Sequence, residues 1–184
     1  MAYLQRFQHP CGQNMRIALY QPDIPQNAGT IVRLGACLGI AVDIIEPAGF
    51  AATEPAFRRA GLDYVPHAAI RRHRSFAAFD VWRRGAGSAR LILLSTKAAV
   101  PYFDMQYRAD DILLFGRESA GVPESVHDVA DARVLIPMRP GLRSLNVAMA
   151  VALVAGEALR QTGGYGFDAF AAFTPGFDDF TDRD

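Results

Sequence analysis

The sequence predicts an α/β fold built on a mostly parallel β-sheet. Apolar runs of strand length alternate with segments of helix length along the chain. These runs are nearly continuously aliphatic, as in strands that are covered by helices on both faces of a sheet. Three of the runs lead into polar loops, and in such folds ligands bind at the carboxyl ends of the strands. We therefore expect one α/β domain with a binding site at that edge of the sheet.

Five strands and five helices follow from these patterns. The predicted strands are Arg16–Tyr20, Val42–Glu46, Arg90–Ser95, Ile112–Phe115 and Val134–Ile136. The predicted helices are, approximately, Asn27–Leu38, Pro55–Ala60, Ser75–Arg84, Pro123–Val129 and Leu145–Gln161. The last helix is apolar on nearly every side, so we expect it to be buried on more than one side, which indicates a subunit interface.

The first predicted strand leads into the segment QPDIPQNAGTIVR, which runs from Gln21 to Arg33. Its two prolines favour an extended loop, and Asn27 is expected to cap the helix that follows. Arg33 lies only roughly on the same side of that helix as Asn27, and it could equally be a surface arginine. A nicotinamide or flavin enzyme would carry a glycine-rich turn here, and its absence counts against that class.

The fourth predicted strand ends in FGRESAG, from Phe115 to Gly121. A glycine at position 116 allows a ligand to approach the backbone closely, so a larger side chain there is expected to fill the ligand's space. Glu118 follows two residues later, and its carboxylate would repel a phosphate group. The loop therefore suits a ligand with hydroxyl groups, amines or a positive charge.

The last predicted strand continues through Pro137 into a polar loop that ends at Arg143. Ser144 is the predicted N-cap of the last helix, and Asn146 lies beside it at the same helix end. The first turn of that helix offers unpaired backbone N–H groups. The strand, the loop and the capped helix together form a suitable binding site for a small polar ligand.

The bulk composition excludes several classes of protein. The chain has 184 residues, of which 51% are hydrophobic and 21% charged, which is ordinary for a globular domain. No apolar run reaches the roughly 20 residues that span a bilayer, and the first residues lack the apolar core of a secretory signal. Cys11 and Cys37 form no disulfide or metal-binding pattern, and Cys37 is predicted to lie in the core. A cytoplasmic protein without a metal is the simplest interpretation.

Positive charge is concentrated in one segment although the net charge of the chain is zero. Residues 58–90 carry eight arginines against two aspartates, a net charge of +6, whereas the segment from Tyr165 onward carries −4. Arginine side chains bind phosphate in a bidentate manner and stack on exposed bases. The segment therefore indicates a polyanion such as RNA as a partner, with an ordinary solvated surface as the alternative.

Taken in order, the three loops resemble the motifs of the SPOUT methyltransferases. The shared pattern consists of N-x-G-x-x-x-R, F-G-x-E-x-x-G and I-P-M followed by S-L-N, and the resemblance covers about residues 15–162. Within this family the chain resembles the small tRNA 2′-O-methyltransferases that modify the anticodon wobble nucleotide, a cytidine or a modified uridine. The segments that carry this closer resemblance are IIEPAGF, RRAGLDY, LLSTK and EALRQ. Residues 1–14 would then be a peripheral extension, and residues 163–184 a flexible acidic tail.

The resemblance implies a fold and an assembly that composition could not indicate. It implies a single domain with a C-terminal trefoil knot, a rare exception to the rule that chains are unknotted. It also implies a homodimer with a shared active site, and S-adenosylmethionine bound in the knot. The acceptor would be the anticodon stem-loop of a tRNA.

The same resemblance assigns functional residues. The family's catalytic residues correspond to Arg33, Asn27 and Glu118. Its cofactor contacts correspond to Leu94, Gly116, Ile136, Met138, Ser144 and Leu145. The arginines assigned to the tRNA backbone are Arg58, Arg59, Arg71, Arg72 and Arg74. The chain departs from its relatives after Asn146, where Val-Ala-Met replaces a polar pair.

Arg33 is expected to position the reacting ribose and an adjacent phosphate. An arginine side chain is effectively always protonated, so a role as general base is disfavoured. The proton acceptor is left unassigned, because His67 and His73 stand beside no motif and are predicted to be surface residues.

Two alternatives stay open. A SPOUT enzyme acting on another RNA, such as ribosomal RNA, is disfavoured by the small size of the chain, since such members often append a separate binding domain. A non-catalytic RNA-binding protein would keep the arginine segment but would not need the three loops.

Overall fold

The computed structural model describes residues 15–51, 55–85, 87, 89–142 and 144–165. The strands are β1 (Arg16–Tyr20), β2 (Ala41–Ile45), β3 (Ile70–His73), β4 (Leu91–Leu94), β5 (Val100–Pro101), β6 (Ile112–Phe115) and β7 (Ala132–Leu135). The helices are α1 (Pro25–Leu38), α2 (Pro55–Gly61), α3 (Phe76–Gly85), α4 (Glu124–Val129) and α5 (Val147–Thr162), with a 3₁₀ helix at Leu62–His67. The predicted extension at residues 1–14 lies outside the described residues. Of the predicted tail, residues 163–184, only residues 163–165 are described.

The seven strands form one parallel sheet in the order β3-β2-β1-β6-β4-β7-β5. Side chains of α1 and α5 join one hydrophobic core on one face of the sheet, and side chains of α3 and α4 join a second core on the other face. The central strands are mostly apolar because both faces of the sheet are covered, although β1 begins with Arg16 and β2 contains the buried Asp43. The predicted α/β fold with helices on both faces is therefore confirmed, and all five predicted strands exist within two residues of their predicted ends.

Two strands were not predicted. The sequence of β3 is IRRH, in which Arg71 and Arg72 are exposed, because the strand lies at the edge of the sheet. A polar edge strand lacks the aliphatic run that identifies a buried strand. The other unpredicted strand, β5, has only two residues and lies at the opposite edge.

Both predicted helix caps are wrong. Ile24 occupies the N-cap position of α1 and Pro25 opens the helix, so Asn27 lies inside the first turns. At α5 the cap is Asn146, whose Oδ1 accepts a hydrogen bond of 2.8 Å from the backbone N–H of Ala148, while Ser144 is exposed outside the helix. The side chain of Asn27 is thereby free to make contacts across the fold.

Two further burial predictions are wrong. Cys37 is exposed, because the buried stripe of α1 runs through Ala28, Ile31 and Val32 instead. His73 is only 6% exposed, and its Nε2 lies 2.7 Å from Oδ1 of the fully buried Asp43. Burial of this histidine follows from the strand pairing that places it beside Asp43, which the local sequence could not indicate.

The helix α5 leaves an apolar stripe uncovered. Val151, Val154 and Ala155 are buried against the sheet, whereas Met149 and Leu153 are 59% and 43% exposed. The expected burial on more than one side is thus absent within a single chain. No helix among the described residues has the length and hydropathy to cross a membrane.

Candidate active site

A cleft of about 530 Å³ lies at the carboxyl ends of the central strands. The loops after β4, β6 and β7 form its walls, together with the first turns of α1 and α5. All six residues that the sequence assigns to the cofactor line it, namely Leu94, Gly116, Ile136, Met138, Ser144 and Leu145. The parallel sheet brings them together because each of the three strands ends at the same edge.

The loop after β6 closes tightly on itself. Arg117 and Gly121 exchange two backbone hydrogen bonds of 3.0 and 2.8 Å, and Gly121 has a φ of 67°, in the left-handed region that favours glycine. A Cβ atom added at Gly116 would lie 2.7 Å from the backbone carbonyl carbon of Gly121. The prediction that a side chain here would fill the ligand's space is therefore corrected. Glycine is required because residues 116 and 121 of the loop touch.

A chain of hydrogen bonds links the loop after β6 to the starts of α1 and α5. Asn146 is oriented by its capping bond, so its Nδ2 donates to Oδ1 of Asn27 at 2.9 Å. The amide of Asn27 is thereby oriented to donate from Nδ2 to Oε1 of Glu118 at 3.0 Å. Asn27 and Glu118, which the sequence assigns to catalysis, therefore contact each other directly. Asn146 is a site residue that the sequence assignment left out. Its position at the start of the last helix, beside the polar loop, was a signal that could have identified it.

Glu118 is held from its other side by the loop after β1. The backbone N–H of Asp23 donates to Oε2 of Glu118 at 2.9 Å. The carboxylate of Asp23 accepts hydrogen bonds from Arg117 at 2.6 Å and from the hydroxyl of Ser119 at 2.5 Å. The guanidinium of Arg117 holds the pKa of Asp23 below its ordinary value, and the Ser119 hydrogen bond acts in the same direction. Both carboxylate oxygens of Glu118 are thus fixed at the rim of the cleft.

Arg33 lies outside this cleft. Its side chain is exposed, and its Cζ lies 5.1 Å from the centre of the Tyr64 ring in the 3₁₀ helix. This is cation–π geometry, and Arg33 is not among the residues that line the cleft. The structure therefore brings two of the three predicted catalytic residues together and leaves the third apart.

His127 is a cleft residue that no sequence motif indicated. It belongs to α4, is 3% exposed and lines the cleft. Its Nδ1 is buried and has no hydrogen-bond partner. A single histidine on a short helix carries no sequence signal, so only the fold could place it here.

Two of the five arginines assigned to RNA do not share one surface. Arg71 and Arg72 point to opposite faces of β3, because successive side chains of a strand alternate. Arg71 lies with its Cζ 4.5 Å from the centre of the Trp82 ring, whereas Arg72 pairs with Glu46 at 2.7 Å. Arg59 and Arg74 are exposed, and Arg58 belongs to the same helix as Arg59. Within the described ranges, no group of three or more His, Cys, Asp or Glu side chains could hold a metal ion.

Comparison with known proteins gives concordant matches. The sequence model of the SpoU rRNA Methylase family matches residues 14–156. A tRNA (cytidine(34)-2′-O)-methyltransferase of Beijerinckia indica is 64% identical over 147 residues, which covers 80% of this chain and 91% of that protein.

Solved structures resemble the fold over a similar length. A structure described as "Structural insights into the 2-OH methylation of C/U34 on tRNA" matches with a TM-score of 0.75 and 44% identity, covering 80% of this chain and 95% of that one. An AdoMet-bound rRNA methyltransferase from Sinorhizobium meliloti matches with a TM-score of 0.75 and 28% identity, covering 83% of this chain but 58% of that one.

Proposed function

The chain belongs to the SpoU rRNA methylase family, and on this premise we propose that it methylates the ribose 2′-oxygen of nucleotide 34 in tRNA, using S-adenosylmethionine. The observation that carries the proposal is 64% identity over 91% of a tRNA (cytidine(34)-2′-O)-methyltransferase. An RNA-binding protein without catalysis would not need the cleft. A ribosomal RNA substrate is less well supported, because the rRNA methyltransferase is less similar and extends well beyond the matched region.

A direct assay tests this function. We expect purified protein, tRNA and S-adenosylmethionine to yield a 2′-O-methylated nucleoside at position 34, located by mass spectrometry of anticodon fragments. Methylation of ribosomal RNA alone would instead favour the other substrate class.

The cleft fits S-adenosylmethionine. Its apolar side chains, Leu94, Ile136, Met138 and Leu145, suit an adenine ring, and the backbone groups at the strand ends offer polar contacts. The unpartnered Nδ1 of His127 and the carboxylate of Glu118 provide further polar atoms for a ligand with hydroxyl, amino and sulfonium groups. The six cofactor residues assigned from the sequence are therefore proposed as its binding site.

The protein's chemical contribution is positioning. S-adenosylmethionine, when bound, supplies a methyl group that its sulfonium makes electrophilic, so we propose that transfer needs no metal ion. Glu118, Asn27 and Asn146 form a preorganised polar wall at the cleft, fixed by the α5 cap. Arg33 is proposed to hold the ribose and an adjacent phosphate, which stabilises the developing charge on the 2′-oxygen.

A homodimer with a shared site accounts for the position of Arg33. Arg33 lies outside the cleft of its own chain, so a second chain is proposed to present its Arg33 to this cleft. Met149 and Leu153 are one helical turn apart on α5, and their exposed side chains form an apolar stripe on that helix. Apolar stripes of this kind mark association surfaces, and a two-fold axis would cover both copies of the stripe at once.

Placing aspartate at both Met149 and Leu153 is expected to produce a monomer. Two buried charges on each side of the interface cost more than the apolar contact supplies. Light scattering at micromolar concentration should give twice the chain mass of 20.1 kDa for the native protein and the single mass for the variant. A native protein that is monomeric and active would contradict the shared site.

We also propose the trefoil knot. After β7 the chain must return past β4 to reach α5, which contacts α1 and β6. The returning segment, 136–146, supplies one wall of the cleft. Passage of this segment through the preceding loops would fix that wall against the other two.

The arginines proposed to bind tRNA differ in whether a carboxylate already neutralises them. Arg71 stacks on Trp82, and no carboxylate in the described part of the chain lies within ion-pair distance of it, so its N–H groups are available to a phosphate. Arg72 is already paired with Glu46. We therefore propose that Arg71 contributes more to tRNA binding than its neighbour.

Replacing Arg71 by alanine should weaken tRNA binding and reduce its salt dependence. Each phosphate contact releases counterions, so losing one contact lowers the slope of log K against log salt by about one. Arg72→Ala is the matched control, and we expect a smaller change from it. Equal reductions of the slope in filter-binding titrations would contradict the difference proposed between the two arginines, and an unchanged slope in both variants would assign both to an ordinary solvated surface.

A further inference from the structure

His127 combines deep burial with an unmet hydrogen bond at the wall of the cleft. Its Nδ1 is the only buried side-chain nitrogen or oxygen without a partner in the described part of the chain. Such an atom is destabilising, because it has lost its contact with water and gained nothing in exchange. Buried polar groups are otherwise almost always paired.

His73, the other buried histidine, has a hydrogen-bond partner within the protein. His73 is 6% exposed, and its Nε2 lies 2.7 Å from a carboxylate oxygen of Asp43. His127 has no such partner, although it is 3% exposed. It differs from His73 in lining a cleft that binds a polar ligand.

We propose that His127 is a cofactor-binding residue whose Nδ1 forms a hydrogen bond with a polar group of S-adenosylmethionine. The inference rests on the proposed function, since it requires this cofactor in the cleft. On binding, the imidazole would turn about its Cβ–Cγ bond to present Nδ1 to the ligand, and a neutral imidazole nitrogen can donate or accept according to its tautomer. The hydroxyl, amino and carboxylate groups of the cofactor suit either role. The missing partner is therefore supplied on binding.

A leucine at this position separates the inference from a structural role. His127→Leu removes the unpaired nitrogen, so the cofactor-free protein should melt at the same or a higher temperature. Its affinity for S-adenosylhomocysteine, measured by calorimetry, should fall about tenfold. His127→Asn is the matched variant, because its amide places a polar atom near the position of Nδ1 and should keep most of the affinity. His127→Gln places its amide near Nε2 and should not.

Spectroscopy of the native protein provides a readout that does not depend on any variant folding. The Nδ1 resonance of His127, observed by long-range ¹H–¹⁵N correlation, should shift as S-adenosylhomocysteine is added, while the resonances of His73 stay unchanged. An unshifted Nδ1 resonance in saturated protein, or equal affinity of the leucine variant, overturns the inference and leaves the proposed function intact. A native protein that does not bind S-adenosylhomocysteine overturns the proposed function itself.

Discussion

Replacing Arg33 by alanine is expected to abolish methyl transfer while cofactor binding stays intact. Arg33 is exposed and outside its own cleft, so its loss leaves the walls that hold S-adenosylmethionine unchanged. The substitution removes the positive charge that we propose to contact the reacting ribose. Losing one preorganised electrostatic contact of this kind lowers kcat by about 10²–10³-fold.

Single-turnover rates at saturating tRNA measure this effect. Arg72→Ala is the matched control, because it removes the same charge from a residue already paired with Glu46, and its kcat should stay within about twofold of the native value. A higher KM for tRNA with an unchanged kcat would make Arg33 a binding residue only.

Dimers that combine two different variants test whether Arg33 acts on the cleft of its own chain or on the cleft of its partner. A subunit with Arg33→Ala keeps an intact cleft, and a subunit with Gly116→Ala keeps an intact Arg33. The assay uses a cofactor concentration that fills the native cleft but leaves the weakened Gly116→Ala cleft mostly empty. If Arg33 acts on the cleft of the partner, a mixture of the two impaired proteins should then form dimers with one complete site and recover activity. If it acts on its own cleft, the mixture stays inactive.

Replacing Gly116 by alanine is expected to weaken cofactor binding strongly. The added Cβ would lie 2.7 Å from the carbonyl carbon and 3.0 Å from the carbonyl oxygen of Gly121. Backbone atoms cannot move aside as a flexible side chain can, so the loop must open and Glu118 must shift from Asn27. Overpacking of this size costs about 1–3 kcal/mol, which corresponds to about 5–150-fold in affinity for S-adenosylhomocysteine.

Gly85→Ala is the control for this substitution. A Cβ at Gly85 meets no atom within 4 Å, so the variant should keep the native melting temperature and affinity. Calorimetry of both variants, with circular dichroism to check folding, tests the prediction. Native affinity in a folded Gly116→Ala protein would contradict the prediction, because it would show that the loop accommodates the added Cβ without losing affinity for S-adenosylhomocysteine.

The strands were predictable to within two residues because their signal is local. A central parallel strand is apolar along most of its length, and β1 and β6 have the predicted bounds. The helix caps were less predictable. Asn27 and Ser144 are good caps by residue type, but Pro25 opens α1 earlier and Asn146 caps α5 instead.

The residues assigned to the cleft came from the resemblance of three loops to the SPOUT motifs, whereas the sequence pattern by itself determined the α/β class and the position of those loops at the strand ends. These features depend on local periodicity and on the rule that parallel strands end at one edge. Only the tertiary structure decided that β3 is a polar edge strand and that Asn146 orients Asn27 and Glu118. It alone placed Arg33 outside the cleft and left Nδ1 of His127 without a partner. These outcomes depend on contacts between residues far apart in the chain, and local pattern carries no information about them.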